Sequence, residues 1–398
     1  MKRLLVVAER LGAEGGMERF LDVLLTGLAA RGIGVHVLAR ILDAVPAGVT
    51  AEQIDWRDEH HAPDPASAAT VAAILRSAPY DAVAAHNVMD AGVLAALRAA
   101  PRFAYHVHDH RPFCPNGDRV FPRTENNCTA PLGAPCAFHA LTDGCAYGPR
   151  PRSAALIRRR MRLRDAIAAA DVVVVGSAYM GERARASGIP AARILQLASP
   201  LPDDAYTDRI ASAASGKVLF AGRIVPQKGL RSLVRAVATI ARGERPVVRA
   251  IGEGPERAGA AAEAAASGVA LDLPGAMGPA EVRRAIDDAA LVAVPSLWAE
   301  PFGMIGIEAF ARARPVVAYD VGGIRSWLSD GENGLSVPRA DERGLGRSIA
   351  RLLGDDRLRA AMGARARADA ERYRLAPFVD SVIAAVVGIR PGESPAPI

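Results

Sequence analysis

The sequence predicts two doubly wound α/β domains, each a parallel sheet covered by helices on both faces. Three observations carry this. Short β-branched runs alternate with Ala/Leu/Arg segments of helical period. That series occurs twice, separated at 199–216 by SPLPDDAYTDRIASAASG, a Pro/Ser/Asp-rich linker with no apolar period. The 398 residues are enough for two domains of ordinary size and too many for one small binding module.

In the first series the runs at 4–8, 35–39, 82–86, 103–108 and 172–176 read as strands, because they are nearly unbroken apolar stretches of the kind buried parallel strands require. Segments 17–30 and 91–99 between them repeat apolar residues three and four apart and read as helices. The second series places strands at 217–222, 247–251, 269–273, 291–295, 315–319 and 335–337. The expected domains are therefore 1–200 and 217–375, with a C-terminal helix and tail at 376–398 packing back toward the first. Ligands of such sheets bind beyond the carboxyl ends of the strands, so two facing sheets would hold substrate in an interdomain cleft.

Composition narrows the function. Half of the residues are hydrophobic and 23% are charged, which excludes a disordered chain. The net charge of +6 suits anionic small molecules without the basic surplus of a nucleic-acid binder, so no nucleic-acid partner is expected. Glu9 interrupts the first apolar run too early for a signal-peptide core, and no uncharged run approaches the ~18 residues of a membrane span. A cytoplasmic location is expected. No two aspartates are separated by a single residue, which removes the common D-x-D metal site for a diphosphate, so protein groups must neutralise any bound anion.

Four motifs carry chemistry. In WAEPFGMIGIEAF, Glu300 and Glu308 bracket a loop and helix start whose N–H groups, on Phe302, Gly303, Met304 and Ile305, suit a phosphate oxygen; Glu308 suits a ribose diol. In FAGRIVPQKGL, Arg223 and Lys228 leave the carboxyl end of a strand and could stabilise a departing diphosphate; Lys228 is one of only three lysines. LGAEGGMER places Gly15 and Gly16 where the first strand turns into the first helix. FAYHVHDHRPF puts His106, His108 and His110 on one side if the strand persists, either as structural histidines or as a metal triad.

Taken together, these motifs resemble the retaining glycosyltransferases of family 4, whose GT-B fold has two facing Rossmann-like domains. The likeness runs from LLVVAERLGAEGGMER through YHVHDHRP, LFAGRIVPQKGL, AIGEGPER and EPFGMIGIE to DGENGLSVP. It implies a nucleotide-sugar donor, UDP-linked as the family usually uses, bound by the second domain, and an acceptor bound by the first. In relatives the first glutamate, here Glu300, approaches the donor sugar, and the second, Glu308, binds the ribose. An arginine and a lysine, Arg223 and Lys228, hold the diphosphate; the loop near Gly16 and the histidine of V-H-D, His108, line the reaction centre; the backbone around Ala276 and Met277 holds the base. One departure is Ser326, where relatives often carry a glutamate. No residue is an obvious nucleophile, so the family mechanism is expected to be a metal-independent front-face transfer, with Glu300, His108, Arg223 and Lys228 as its catalytic groups.

Two segments stand outside that pattern. Cys114, Cys128, Cys136 and Cys145 have intervals of 13, 7 and 8 residues, none a zinc knuckle, with His110 and His139 nearby. Free thiols, a structural zinc and disulfides all stay open, the last disfavoured by a reducing cytoplasm. RPRSAALIRRRMRLR, residues 150–164, holds seven arginines and no acid and accounts for the whole net charge. It either lies on an anionic membrane surface, at the inner face of the membrane, or packs its Leu156, Ile157, Met161 and Leu163 side on the first domain. Two alternative functions share the fold class: a nucleotide-sugar epimerase and a catalytically idle sugar-nucleotide-binding protein.

Overall fold

The computed structural model describes residues 2–12, 15–57, 63–146, 150–207 and 216–388. Residues 208–215 of the expected linker, 389–398 of the expected tail and 13–14 of the first glycine loop lie outside them. The chain divides into two compact units: residues up to Pro200 together with those from Leu375 on, and Leu201–Arg374.

The first unit is built on seven parallel strands: β1 (Arg3–Leu11), β2 (Gly34–Leu42), β3 (Thr50–Gln53), β4 (Ala82–His86), β5 (Phe103–Val107), β6 (Val172–Val175) and β7 (Ile194–Gln196), in the order β3-β2-β1-β4-β5-β6-β7. Strand alternation sorts the core into two layers. Leu5, Val7, Val83, Phe103 and Tyr105 face Leu94, Leu97, Leu163 and Ile167, whereas Leu4, Val6, Ala82, Ala84 and Ala104 face Leu21, Leu24, Leu25 and Leu28 of helix Gly16–Ala30. Each buried leucine contributes roughly 2 kcal/mol. The alanines on the second face let helices lie close. There the terminal helix Leu375–Val382, continued by a π turn at Ile383–Val387, adds Phe378, Val379, Val382 and Val386 to the same layer.

β3 and β7 are absent from the sequence reading. Both are edge strands, one reading TAEQ and mostly solvent-facing, the other only three residues long, so neither carries an apolar run. Three bounds also move. β5 stops at Val107 rather than at residue 108, β6 stops at Val175, and helix Ala91–Leu97 ends two residues early.

The second unit has six parallel strands: β8 (Val218–Ala221), β9 (Val248–Ile251), β10 (Leu271–Gly275), β11 (Leu291–Val294), β12 (Val316–Tyr319) and β13 (Gly334–Val337), ordered β10-β9-β8-β11-β12-β13. β10 begins two residues later than its expected 269, because Val269 is used to close the preceding helix, its N–H donating to Ala264 O at 2.9 Å. The chain proceeds outward from β8 in one direction and from β11 in the other. The loops leaving these two central strands therefore diverge, the topological switch point at which such sheets bind ligands.

Candidate active site

Lys228 and Glu300 meet at that switch point. After β8 the chain makes a 3-10 turn at Pro226–Lys228, closed by Gly229 at φ 72°. A Cβ on Gly229 would lie 2.0 Å from the Pro295 carbonyl oxygen, so only glycine lets this turn seat against the loop that leaves β11. The Leu297 N–H donates to Gln227 O at 2.8 Å and locks the two loops together. Lys228 Nζ then reaches Glu300 Oε1 at 2.6 Å, and Ser296 Oγ donates to the same oxygen at 2.6 Å. The Trp298 ring lies 5.6 Å from Nζ. Glu300 is 3% exposed. Burial works to raise the pKa of its carboxyl, but the Lys228 charge and hydrogen bonds from Lys228, Ser296 and Trp298 outweigh it and hold the pKa below the ordinary value. The Glu300 carboxyl is ionised at neutral pH.

The stretch after Glu300 is a braced loop ending in helix Met304–Ala311. Trp327 Nε1 donates to Phe302 O at 2.7 Å, and the Gly323 N–H donates to Glu300 O at 2.7 Å. Gly306 lies against the indole, where a Cβ would sit 2.2 Å from a ring carbon. Gly303, at φ 89°, is the N-cap residue and has no side chain to cap the helix, so the first-turn N–H groups of Met304 and Ile305 point out of the helix start. Glu308 is half-buried, one turn into the same helix. This helix start has the donor-rich form that suits a phosphate oxygen.

Arg223 lies in the loop after β8, exposed, and among the described residues it bonds neither to Lys228 nor to Glu300. Its loop is zipped to the one after β9 by Gly222 N–H to Ile251 O at 3.0 Å and Ile224 N–H to Glu253 O at 2.8 Å. Ala276 and Met277 follow β10 directly, Ala276 exposed and Met277 half-buried. The candidates of the second unit therefore sit in loops leaving carboxyl ends of its sheet or, for Met304, Ile305 and Glu308, in the first turns of the helix that such a loop opens. The sequence assigns Lys228, with Arg223, to a departing diphosphate; the structure adds its pairing with Glu300. Trp327, Ser296 and Gly322, where a Cβ would lie 2.4 Å from Glu300 O, were not picked out by the sequence reading. The signal for Gly322 lies in its Gly-Gly pair after β12; Trp327 and Ser296 have no motif of their own.

In the first unit Gly15, at φ 103°, ends the first loop, and Gly16 opens the helix. The alternation expected for His106, His108 and His110 fails at the third residue, because β5 ends at Val107. His110 instead precedes a 3-10 turn at Arg111–Phe113 and lies edge-on to Tyr179 at 5.6 Å. The third imidazole of the cluster is His86, at the end of β4. Burial pushes all three down: His86 well below the usual imidazole value, with help from its two neighbours; His106 to about 3; and His108 to about 4. His86 Nδ1 and His108 Nε2 lie 3.0 Å apart in a hydrogen bond, so one of the two nitrogens carries a proton and cannot ligate a metal.

Among the described residues no three His, Cys, Asp or Glu side chains are placed to hold a metal ion. The four cysteines are free and half-buried. Burial raises the pKa of the Cys114 and Cys136 thiols and pushes that of Cys145 up to about 12, so in the metal-free protein these thiols are protonated at neutral pH. Their loop is knitted by buried Arg119, which donates to Phe113 O, Cys128 O and Ala130 O at 3.3, 3.2 and 2.6 Å. The arginine-rich segment is helix Arg150–Ala168. It buries Ile157, Arg160, Leu163 and Ile167 and leaves Arg152, Arg158 and Arg162 exposed. No helix among the described residues is long and apolar enough to cross a membrane.

Two family models match the chain in succession, one described as Glycosyltransferase Family 4 over residues 14–196 and one described as Glycosyl transferases group 1 over residues 211–369. The D-inositol 3-phosphate glycosyltransferase of Kineococcus radiotolerans is 30% identical, across 91% of this chain and 88% of its own. Among solved structures, HepE of Anabaena in complex with UDP aligns with a TM-score of 0.72 at 18% identity, over 96% of this chain and 98% of its own. WaaG, a glycosyltransferase of lipopolysaccharide biosynthesis, aligns with a TM-score of 0.69 at 18% identity, over 97% of this chain and 100% of its own. The structural likenesses speak for the fold and the sequence matches for the lineage. With both units matched and a relative that runs nearly its full length, the chain belongs to the family 4 glycosyltransferases, transferases of the GT-B fold with two Rossmann-like domains.

Proposed function

We propose that this glycosyltransferase moves a sugar with retention from a UDP-linked donor to a hydroxyl of a saccharide, lipid-linked or small-molecule acceptor, with no metal ion in the chemistry. The Lys228–Glu300 pair carries the reading. A buried carboxylate held ionised beside a lysine puts negative charge where a sugar cation develops and positive charge where a diphosphate departs. The acceptor oxygen attacks the anomeric carbon from the face the diphosphate leaves. The bond from that carbon to the phosphate oxygen breaks, the new glycosidic bond forms, and the acceptor proton passes to the departing phosphate oxygen.

Arg223, Lys228 and the N–H groups of Phe302, Gly303, Met304 and Ile305 stabilise the leaving charge. Glu308 accepts from the ribose diol, the backbone at Ala276 and Met277 takes the base, Gly15 and Gly16 offer N–H groups, and His108 hydrogen-bonds the donor sugar. UDP in the HepE complex supports the donor class, and the inositol phosphate in the relative's name supports a polyol-like acceptor. Arg223→Ala and Glu300→Gln should each lower turnover at least ~10²-fold with the fold intact. The assay is acceptor-dependent nucleotide release in EDTA. Near-normal variant rates would sink the assignments, and a rate lost to EDTA would sink the metal-free mechanism. Release that ignores the acceptor would fit neither this reading nor an epimerase.

A membrane-borne acceptor is part of the proposal. Helix Ala134–Thr142 buries none of its residues and leaves Phe138 61% and Leu141 58% exposed, and it packs beside the arginine-bearing helix Arg150–Ala168. Apolar side chains next to arginines suit an anionic lipid surface. The protein should sediment with phosphatidylglycerol vesicles at low salt, and Phe138→Ser with Leu141→Ser should weaken that binding. No sedimentation at low salt removes the membrane contact.

A further inference from the structure

β4 and β5 pair in parallel with His86 opposite His106, so their rings leave the same face and stack 4.1 Å apart at 22°. His108, two residues on, turns back toward them, and Phe20 of helix Gly16–Ala30 closes over its ring edge-on at 4.8 Å. His86 is fully buried and His106 is 2% exposed. The hydrogen bond between His86 Nδ1 and His108 Nε2 joins two rings that burial keeps neutral, so one nitrogen brings the proton and the other the lone pair. The other nitrogen of His86, Nε2, is buried with no partner among the described residues. A proton there would leave a buried donor unpaired, whereas a bare lone pair is the better-tolerated orphan. The His86 proton therefore sits on Nδ1 and is donated to His108 Nε2.

We propose that His86 is a positioning residue for the transfer: by donating Nδ1–H to His108 Nε2 it fixes the ring of His108 and the tautomer in which His108 carries its proton on Nδ1. This rests on the reading that His108 meets the donor sugar. His108 then presents an N–H rather than a lone pair on its free nitrogen, the form that donates to a sugar hydroxyl oxygen. The stacked His106 and the Phe20 edge pack against the pair, and the small Ala82, Ala84 and Ala104 below them leave the helix close enough to do so.

Nitrogen-15 NMR of the histidines in the whole protein tests this directly, because protonated and bare ring nitrogens resonate far apart. His108 should show the Nδ1–H form at neutral pH. His86→Phe keeps the ring volume but cannot donate; it should convert the His108 signals to a tautomer mixture and lower kcat by roughly 10-fold or more. His86→Asn, which places an amide N–H near the former Nδ1, should restore both. An Nδ1-bare His108 in the unmutated protein overturns the inference, as does a His86→Phe variant with unchanged spectrum and kcat. Should His86→Phe fail to fold, the tautomer in the unmutated protein decides alone. A His108→Phe variant with full turnover, alongside the expected tautomer, would overturn the role of His108 and leave the positioning geometry standing.

Discussion

Lys228→Met should lower turnover by about 10³-fold and also destabilise the second unit by on the order of 3 kcal/mol. The two losses have one origin. Among the described residues Lys228 is the one cation bonded to Glu300, a carboxylate that is almost completely buried, so its removal leaves that charge with only the Ser296 and Trp298 hydrogen bonds. The pH dependence should reverse with it. In the unmutated protein the Glu300 pKa lies below its ordinary value, so its contribution to stability is present at neutral pH and is lost as pH falls through the carboxylate range. In Lys228→Met burial is opposed only by the Ser296 and Trp298 hydrogen bonds and should raise the pKa. The folded state then binds the extra proton, and stability should rise as pH falls from 7 toward 5. Adding Glu300→Gln should recover stability and flatten the slope without recovering turnover. Chemical denaturation at several pH values reads all of this, and a single mutant as stable as the unmutated protein would show that Glu300 is not held as a buried anion.

The second large effect concerns the loop behind the helix start. Gly306→Val should abolish donor binding and destabilise the second unit by about 2–3 kcal/mol. Its Cβ would fall within 2.6 Å of three indole carbons of Trp327, so the indole must leave, and its bond to Phe302 O goes with it. The N–H groups that follow Phe302 then lose their bracing. Trp327→Phe is the milder companion: most of the bulk remains and one buried hydrogen bond, worth about 1 kcal/mol, is lost. Its donor KM should rise more than its kcat falls. Calorimetric titration with UDP separates the cases, and undiminished UDP binding by Gly306→Val would dismiss the loop as the diphosphate cradle.

The legible part of the molecule is what periodicity and glycine spacing encode. Central strands such as β4, β8 and β11 are unbroken apolar runs because they are buried on both faces, and so they stand out. β3 and β7 do not, since an edge strand needs no apolar face and draws its order from a neighbour. In the site, Glu300, Glu308, Arg223 and Lys228 are visible as charged residues in glycine-rich loops. That Lys228 pairs with Glu300 is not visible, because the contact joins residues 72 apart through loops from two different strands. His86 was missed for the same reason. It lies 22 residues before the histidine of the V-H-D motif, and only the register of β4 against β5 brings it to His106 and His108. His110 shows the converse: its place beside His106 and His108 depended on the strand persisting, and β5 ends at Val107.

The return of the last helix to the first sheet bears on how the protein is made. Phe378, Val379, Val382 and Val386 complete the apolar layer over Leu21, Leu24 and Leu28, so a ribosome that has delivered only residues 1–200 has released a sheet with one face unfinished. The second unit, by contrast, is contiguous and holds all its own strands. Synthesis proceeds from the amino terminus, yet the unit encoded second is the one able to finish first, while the first waits for residues 375–387. The first unit is thus born exposed along the helix Gly16–Ala30 layer, and that interval is the one in which a nascent chain would need shielding.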